Sequence, residues 1–144
     1  MPDWCNNTLK ITTTDVNFIE AAVAAYKNDS LLNFLVPIGE WDYNLAVERW
    51  GVKWDVAGAC DPVIEGDSVT FIFDSAWAPP IAAYDALVNR GFGVEAFYWE
   101  PGMGYCGVYR DGDDECTEYS SYEEIPEEIV EHFDISDWTE DEDE

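Results

Sequence analysis

Basic residues are scarce in this chain: six Lys and Arg stand against 32 Asp and Glu, for a formal net charge of −26. A surface of that sign repels nucleic acid and anionic membranes, so direct binding to either is not expected, while its field attracts basic partners. Histidine is rarer still, with His132 alone. That excludes multi-histidine metal centres and leaves any acid–base scheme a single imidazole. Cys5, Cys60, Cys106 and Cys116 form no CxxC pair, so a zinc site with close ligand spacing is excluded. Long apolar runs are missing too. "FIEAAVAAY" and "LLNFLVPI" are short and interrupted, well below the roughly 20 residues a membrane-crossing helix needs. "MPDWCNNTLK" carries no positive start followed by an apolar run. The expectation is therefore a cytoplasmic protein, in a host cell, with reduced thiols.

Against these absences stand an ordinary domain length and a rich apolar content. The 144 residues are 47% hydrophobic and 15% aromatic, with seven Trp, eight Tyr and seven Phe. That is enough for one folded core and far from a disordered composition. The charge is unevenly spread. Residues 1–110 hold 15 acids and all six bases, whereas 111–144 hold 17 acids and no Lys or Arg. The organisation expected is a single domain over 1–134, elaborated from about 111, and an acidic mobile tail over 135–144 ending in "WTEDEDE".

Periodicity supplies the elements. "CNNTLKITT" alternates as a strand with Leu9 and Ile11 on one face. "DVNFIEAAVAAYKND" reads as a helix with an Asn17/Glu20 capping box and a stripe of Ile19, Ala22, Val23 and Tyr26. "YNLAVERW" forms a short helix closed by Gly51, where a left-handed backbone suits glycine. Val52, Trp54 and Val56 then alternate with Lys53 and Asp55, which predicts a strand with both Trp50 and Trp54 packed inward and Lys53 and Asp55 facing out. "CDPVIEGD" reads as a turn and "SVTFIFDSA" as a strand. Pro79 and Pro80 open a helix bearing Ile81, Tyr84, Leu87 and Val88. "GVEAFYWE", "YCGVYR" and "ECTEY" are strands, the last two joined at "DGD". A final helix over about 126–133 places Ile125, Ile129, Val130 and Phe133 on one face. The fold class is thus α+β: a ferredoxin-like β-α-β-β-α-β sheet with two helices on one face, extended by an antiparallel hairpin and a C-terminal acidic helix.

"MPDWCNNTLKI", "RWGVKWD", "FDSAWAPP" and "WEPGMGYCGVYRDG" resemble, in order and spacing, the YubB-type ferredoxin-like domain family of plasmids, phages and prophages. The resemblance covers residues 1–112 and implies the same fold and a mobile-element origin. It implies no catalytic residues. The strongly acidic end, starting at about Asp111, is an elaboration that extends beyond the shared core.

No reaction signature emerges from the residues. "DGDDECTEYSSYEE" places Asp111, Asp113 and Glu115 at alternate positions, but Cys116 and Tyr122 occupy the positions where a calcium loop needs Gly and Glu. A hairpin turn with solvated acids fits better, so no metal or cofactor is expected. The acidic surface has three readings: a solubilising face, adaptation to salt, and nucleic-acid mimicry. Duplex DNA carries one charge per 1.7 Å of axis, so 26 charges match about 44 Å of duplex. The leading reading is a non-enzymatic DNA mimic of a phage or mobile element that blocks the basic nucleic-acid-binding surface of a host defence enzyme, in the manner of an anti-restriction or anti-CRISPR inhibitor. Its partner-binding residues would be Asp111, Asp113, Asp114, Glu115, Glu118, Glu123, Glu124, Glu127, Glu128 and Glu131, with Tyr119 and Tyr122 as exposed anchors. The alternatives are a protein-interaction module whose acidity only solubilises it, and an enzyme whose site carries no motif.

Overall fold

The computed structural model of the chain describes residues 4–58, 60–133 and 135. It is an α+β structure. In chain order the elements are β1 (Trp4–Thr12), α1 (Val16–Lys27), α2 (Leu31–Leu35), α3 (Tyr43–Trp50), β2 (Ala57–Gly58), β3 (Val63–Glu65) and β4 (Ser68–Ala76). They continue through α4 (Ile81–Asn89), β5 (Gly93–Glu100), β6 (Tyr105–Arg110), β7 (Asp113–Glu118), a 3₁₀ turn (Tyr122–Glu124) and α5 (Glu127–Phe133). The strands form one sheet in the order β2-β4-β1-β5-β6-β7, with β3 also paired to β4. Every pairing is antiparallel.

Alternation along each strand divides the sheet into two faces. Leu9 and Ile11 of β1, Val69, Phe71 and Phe73 of β4, and Val94 and Ala96 of β5 point into the main core, which α1, α2, α3 and α4 cover. The next residues along β5 and β6, Trp99, Cys106 and Val108, point the other way and pack with Ile125, Ile129 and Ile135. Thus α5 covers the opposite face of the sheet from α1 and α4. Ile135 belongs to this second cluster at 1% exposure, so the expected boundary at 135 falls too early. The rest of the expected tail, 136–144, lies outside the described residues.

Local chemistry explains the helix ends. Asp15 caps α1, its carboxylate accepting from Phe18 N at 3.1 Å. The expected Asn17/Glu20 capping box does not form, because the chain enters the helix before Asn17, which lies within it. Asp42 caps α3 in the same way, accepting from Leu45 N. Gly51 ends α3 with φ +90, a left-handed conformation that costs glycine little.

The stretch after Gly51 departs from expectation. Residues 51–56 form no strand; pairing begins only at Ala57. Val52 and Val56 are buried, but Trp54 is 40% exposed. Asp55 is the cause: its carboxylate turns inward and accepts from Leu32 N at 2.8 Å and Asn33 N at 3.0 Å, at the start of α2. Burial raises its pKa, and these donors oppose the rise. Bending the chain toward α2 breaks the two-residue alternation and turns the Trp54 ring outward. Trp50 behaves as expected: it is buried, and its indole N–H donates to Val36 O at 2.8 Å. The expected turn at "CDPVIEGD" also contains a short strand, β3.

Candidate functional site

The acidic region is built on the far edge of the sheet. Asp111 and Gly112, both at positive φ, make the two-residue turn that joins β6 to β7, the geometry that Asp-Gly favours. Among the described residues, β7 pairs with β6 on one side only. Its Asp113, Asp114, Glu115 and Glu118 are exposed. The chain then passes through the 3₁₀ turn to α5, whose Glu127, Glu128 and Glu131 are also exposed. Carboxylates thus line the β7 edge, and α5, packed on β5 and β6, adds more over the adjoining face of the sheet.

These acids do not have equal roles. Asp111 closes the hairpin, its Oδ1 accepting from Val94 N at 2.8 Å. Asp114 accepts the Tyr98 hydroxyl at 2.5 Å. Gly107 permits that reach, because a Cβ there would meet the Tyr98 ring and lie 2.6 Å from Glu115 O. Glu124 accepts from Ser120 N and Ser120 Oγ and so shapes the 3₁₀ turn. Glu128 pairs with Arg110, which also bonds Glu95 at 3.1 Å. Asp113, Glu115, Glu127 and Glu131 have no side-chain hydrogen bond among the described residues, and their charges are available to a partner.

Tyr119 corrects the expectation of an exposed anchor. Its hydroxyl accepts from Trp99 Nε1 at 2.7 Å, and its ring packs against the second core cluster. An indole donor buried under α5 needs an acceptor, and Tyr119 provides it. Tyr122 lies in the 3₁₀ turn; its side chain falls outside the described residues. His132 docks α5 on the sheet, stacked on Phe97 at 4.1 Å with Nε2 2.8 Å from Thr8 Oγ1. Burial lowers its pKa, while Glu95 and Glu128 oppose the shift.

A groove of about 410 Å³ opens beside this edge, lined by Met103, Gly104, Tyr105, Glu118, Tyr119, Ser120 and Glu124. Its rim is the "PGMG" turn, fixed by the buried Glu100, whose carboxylate accepts from Gly102 N and Met103 N at 2.8 Å each. The buried thiols are poor nucleophiles: burial and the charge of Glu100 push Cys5 far up, and Cys106 is pushed up to about 11 by burial and Cys116. All four cysteines are free.

Sequence reasoning missed a second surface feature. Trp4, Trp41, Trp54 and Trp77 are each at least 40% exposed. Trp4 and Trp54 stand 6.3 Å apart between ring centroids, and Lys53 Nζ lies over the Trp54 and Trp77 rings. The available signal was the density of Trp around two loops. Burial was the wrong default for it, because α2 claims Asp55.

No family model and no curated protein matches the chain. Among solved structures, it is similar to the crystal structure of a protein api92 from Yersinia pseudotuberculosis, described under the family model DUF1281. The TM-score is 0.54 at 11% identity, covering 84% of this chain and 99% of that one. At this identity the likeness is one of fold. Among the described residues no helix is long and apolar enough to cross a membrane.

Proposed function

We propose that the chain is a non-enzymatic acidic binding protein of a phage or mobile element. It acts in the host cytoplasm as a nucleic-acid mimic, blocking the basic nucleic-acid-binding surface of a host defence enzyme. The observation that carries the reading is the fixed edge itself: Asp113, Asp114, Glu115 and Glu118 on one hydrogen-bonded strand, with the exposed acids of α5 over the neighbouring β5 and β6. A six-residue strand spans about 20 Å, so these four charges fall about one per 5 Å, sparser than the one per 3.4 Å of a single nucleic-acid strand, and they divide between the two faces of the strand. Carboxylates held this way gain specific affinity because little ordering cost remains at binding. The strand sequence β2-β4-β1-β5, with α1 and α4 on one face, supports reading the core as ferredoxin-like and, with the quoted motifs, as YubB-type.

One observation favours a second reading, a protein-interaction module whose acidity is only solubilising. Among the described residues β7 is an edge strand, and charge on an edge strand deters pairing with other chains. Competition separates the two. The mimic should be displaced from its partner by duplex DNA or RNA, and a partner that holds nucleic acid and this chain together would reject mimicry.

A further inference from the structure

At the sheet end that carries Trp4 and Ala76, the chain builds an aromatic site and seats a cation in it. Lys53 Nζ lies 4.4 Å from the Trp54 ring centroid and 5.9 Å from that of Trp77. Both rings remain about 40% exposed. A tryptophan face attracts ammonium and guanidinium groups through its quadrupole. The lysine thus marks where a cation from another molecule would sit.

The backbone around Trp77 is held in a costly shape. Its φ is +71, and Ala78 N donates to Ala76 O at 2.8 Å. That is a γ-turn of the rare positive-φ form, strained for a bulky residue. Two buried polar groups and one half-buried tyrosine hold it there. Asn7 Nδ2 donates to Ser75 Oγ at 2.8 Å, Ser75 Oγ donates to Ala78 O at 2.6 Å, and the Tyr105 hydroxyl donates to Trp77 O at 2.5 Å. Asn7 and Ser75 are each 1% exposed. The opposite wall is fixed as well, with Trp41 Nε1 donating to Lys53 O at 2.7 Å. A turn whose strain is over-determined by its support, and which presents a large aromatic to solvent, points to a binding role.

We infer that the Trp54–Trp77 pair is a receptor for an arginine or lysine side chain on a partner protein, which takes the place of Lys53. Charge complementarity selects this occupant: the chain carries 32 acids against six bases, so basic protein surfaces are drawn in and nucleic acid is repelled. The inference stands apart from the acidic-edge reading. The two draw on different elements: Asp113, paired with Arg110, lies at the far end of the register from Trp4 and Ala76, and only Glu118, paired with Tyr105, reaches the end that carries Trp77.

The test is binding of a hexa-arginine peptide to the full chain in 150 and 500 mM salt, followed by fluorescence and by the indole N–H resonances. Trp54→Leu, which keeps apolar bulk but removes the ring, should weaken binding roughly two- to thirty-fold, as loss of one cation–π contact does. Trp54→Phe should retain part of the affinity. Lys53→Gln, by vacating the site, should tighten binding several-fold, with the Trp54 and Trp77 indole resonances shifting most. Because Trp54 is exposed, these variants should fold, and circular dichroism checks it. Equal affinity for parent, Trp54→Leu and Lys53→Gln would overturn the proposal, since the peptide would then be held by diffuse charge. Trp54-dependent binding of a single-stranded oligonucleotide in preference to the peptide would overturn it too.

Discussion

Replacing Trp50 and Trp54 separately by alanine should give two very different proteins, although they sit four residues apart in "RWGVKWD". Trp50 is 2% exposed, and its indole N–H donates to Val36 O. Trp50→Ala removes the whole ring from the core and strips Val36 of that donor. Large aromatic truncations of this kind cost about 3–5 kcal/mol. A domain has roughly 5–15 kcal/mol in total, so about a fifth or more of the stability would go, with a fall in Tm of about 10–15 °C. Trp54 is 40% exposed and touches Trp4 and Lys53. Trp54→Ala should cost about 1 kcal/mol or less, the range of one exposed cation–π contact. Urea unfolding followed by far-ultraviolet circular dichroism measures both. Equal midpoints, or a larger loss for Trp54→Ala, would refute the assignment of one ring to the core and the other to the surface.

Gly107→Ala should destabilise by about 1–3 kcal/mol, as overpacking does, because the new methyl meets the Tyr98 ring and breaks its bond to Asp114. An unchanged denaturant midpoint would contradict that packing. His132 should titrate below the ordinary histidine value in a proton NMR experiment, because partial desolvation where its ring seats on the sheet disfavours its charged form, although the residue keeps an exposed side. Its contribution to holding α5 is then complete above pH 6.5 and is lost as pH falls through the depressed midpoint. A midpoint above 6.5 would mean that Glu95 and Glu128 dominate instead.

The strands β1, β4, β5, β6 and β7 were legible because each has a clear alternation or a turn signal at its end. The Asp-Gly turn before β7 and the Gly51 stop on α3 follow from backbone sterics alone. What escaped was set by long-range contacts. Asp55 reads as an outward residue of an alternating strand, yet it bonds the backbone of residues 32 and 33. No local pattern encodes that. Tyr119 reads as a surface aromatic in an acidic stretch, but the Trp99 indole needs an acceptor under α5. The same limit applies to the site. The position of acids on β7 and α5 follows from periodicity, whereas the division into structural acids (Asp111, Asp114, Glu124, Glu128) and available ones (Asp113, Glu115, Glu127, Glu131) depends on tertiary partners. The strained turn at Trp77 has no sequence signature beyond the two prolines that follow Ala78.

That division fixes how the acidic edge is tested. Asp113→Asn, Glu115→Gln, Glu127→Gln and Glu131→Gln together remove four charges without touching a side-chain bond among the described residues. The melting temperature should therefore hold. The decisive measurement is the affinity of parent and four-substitution variant for a nucleic-acid-binding partner across a salt series. If the edge mimics a phosphate backbone, the parent's affinity falls steeply with salt, and the variant binds at least ten-fold more weakly at physiological salt with a shallower slope. Identical affinities and identical slopes would show that these carboxylates only solvate the surface.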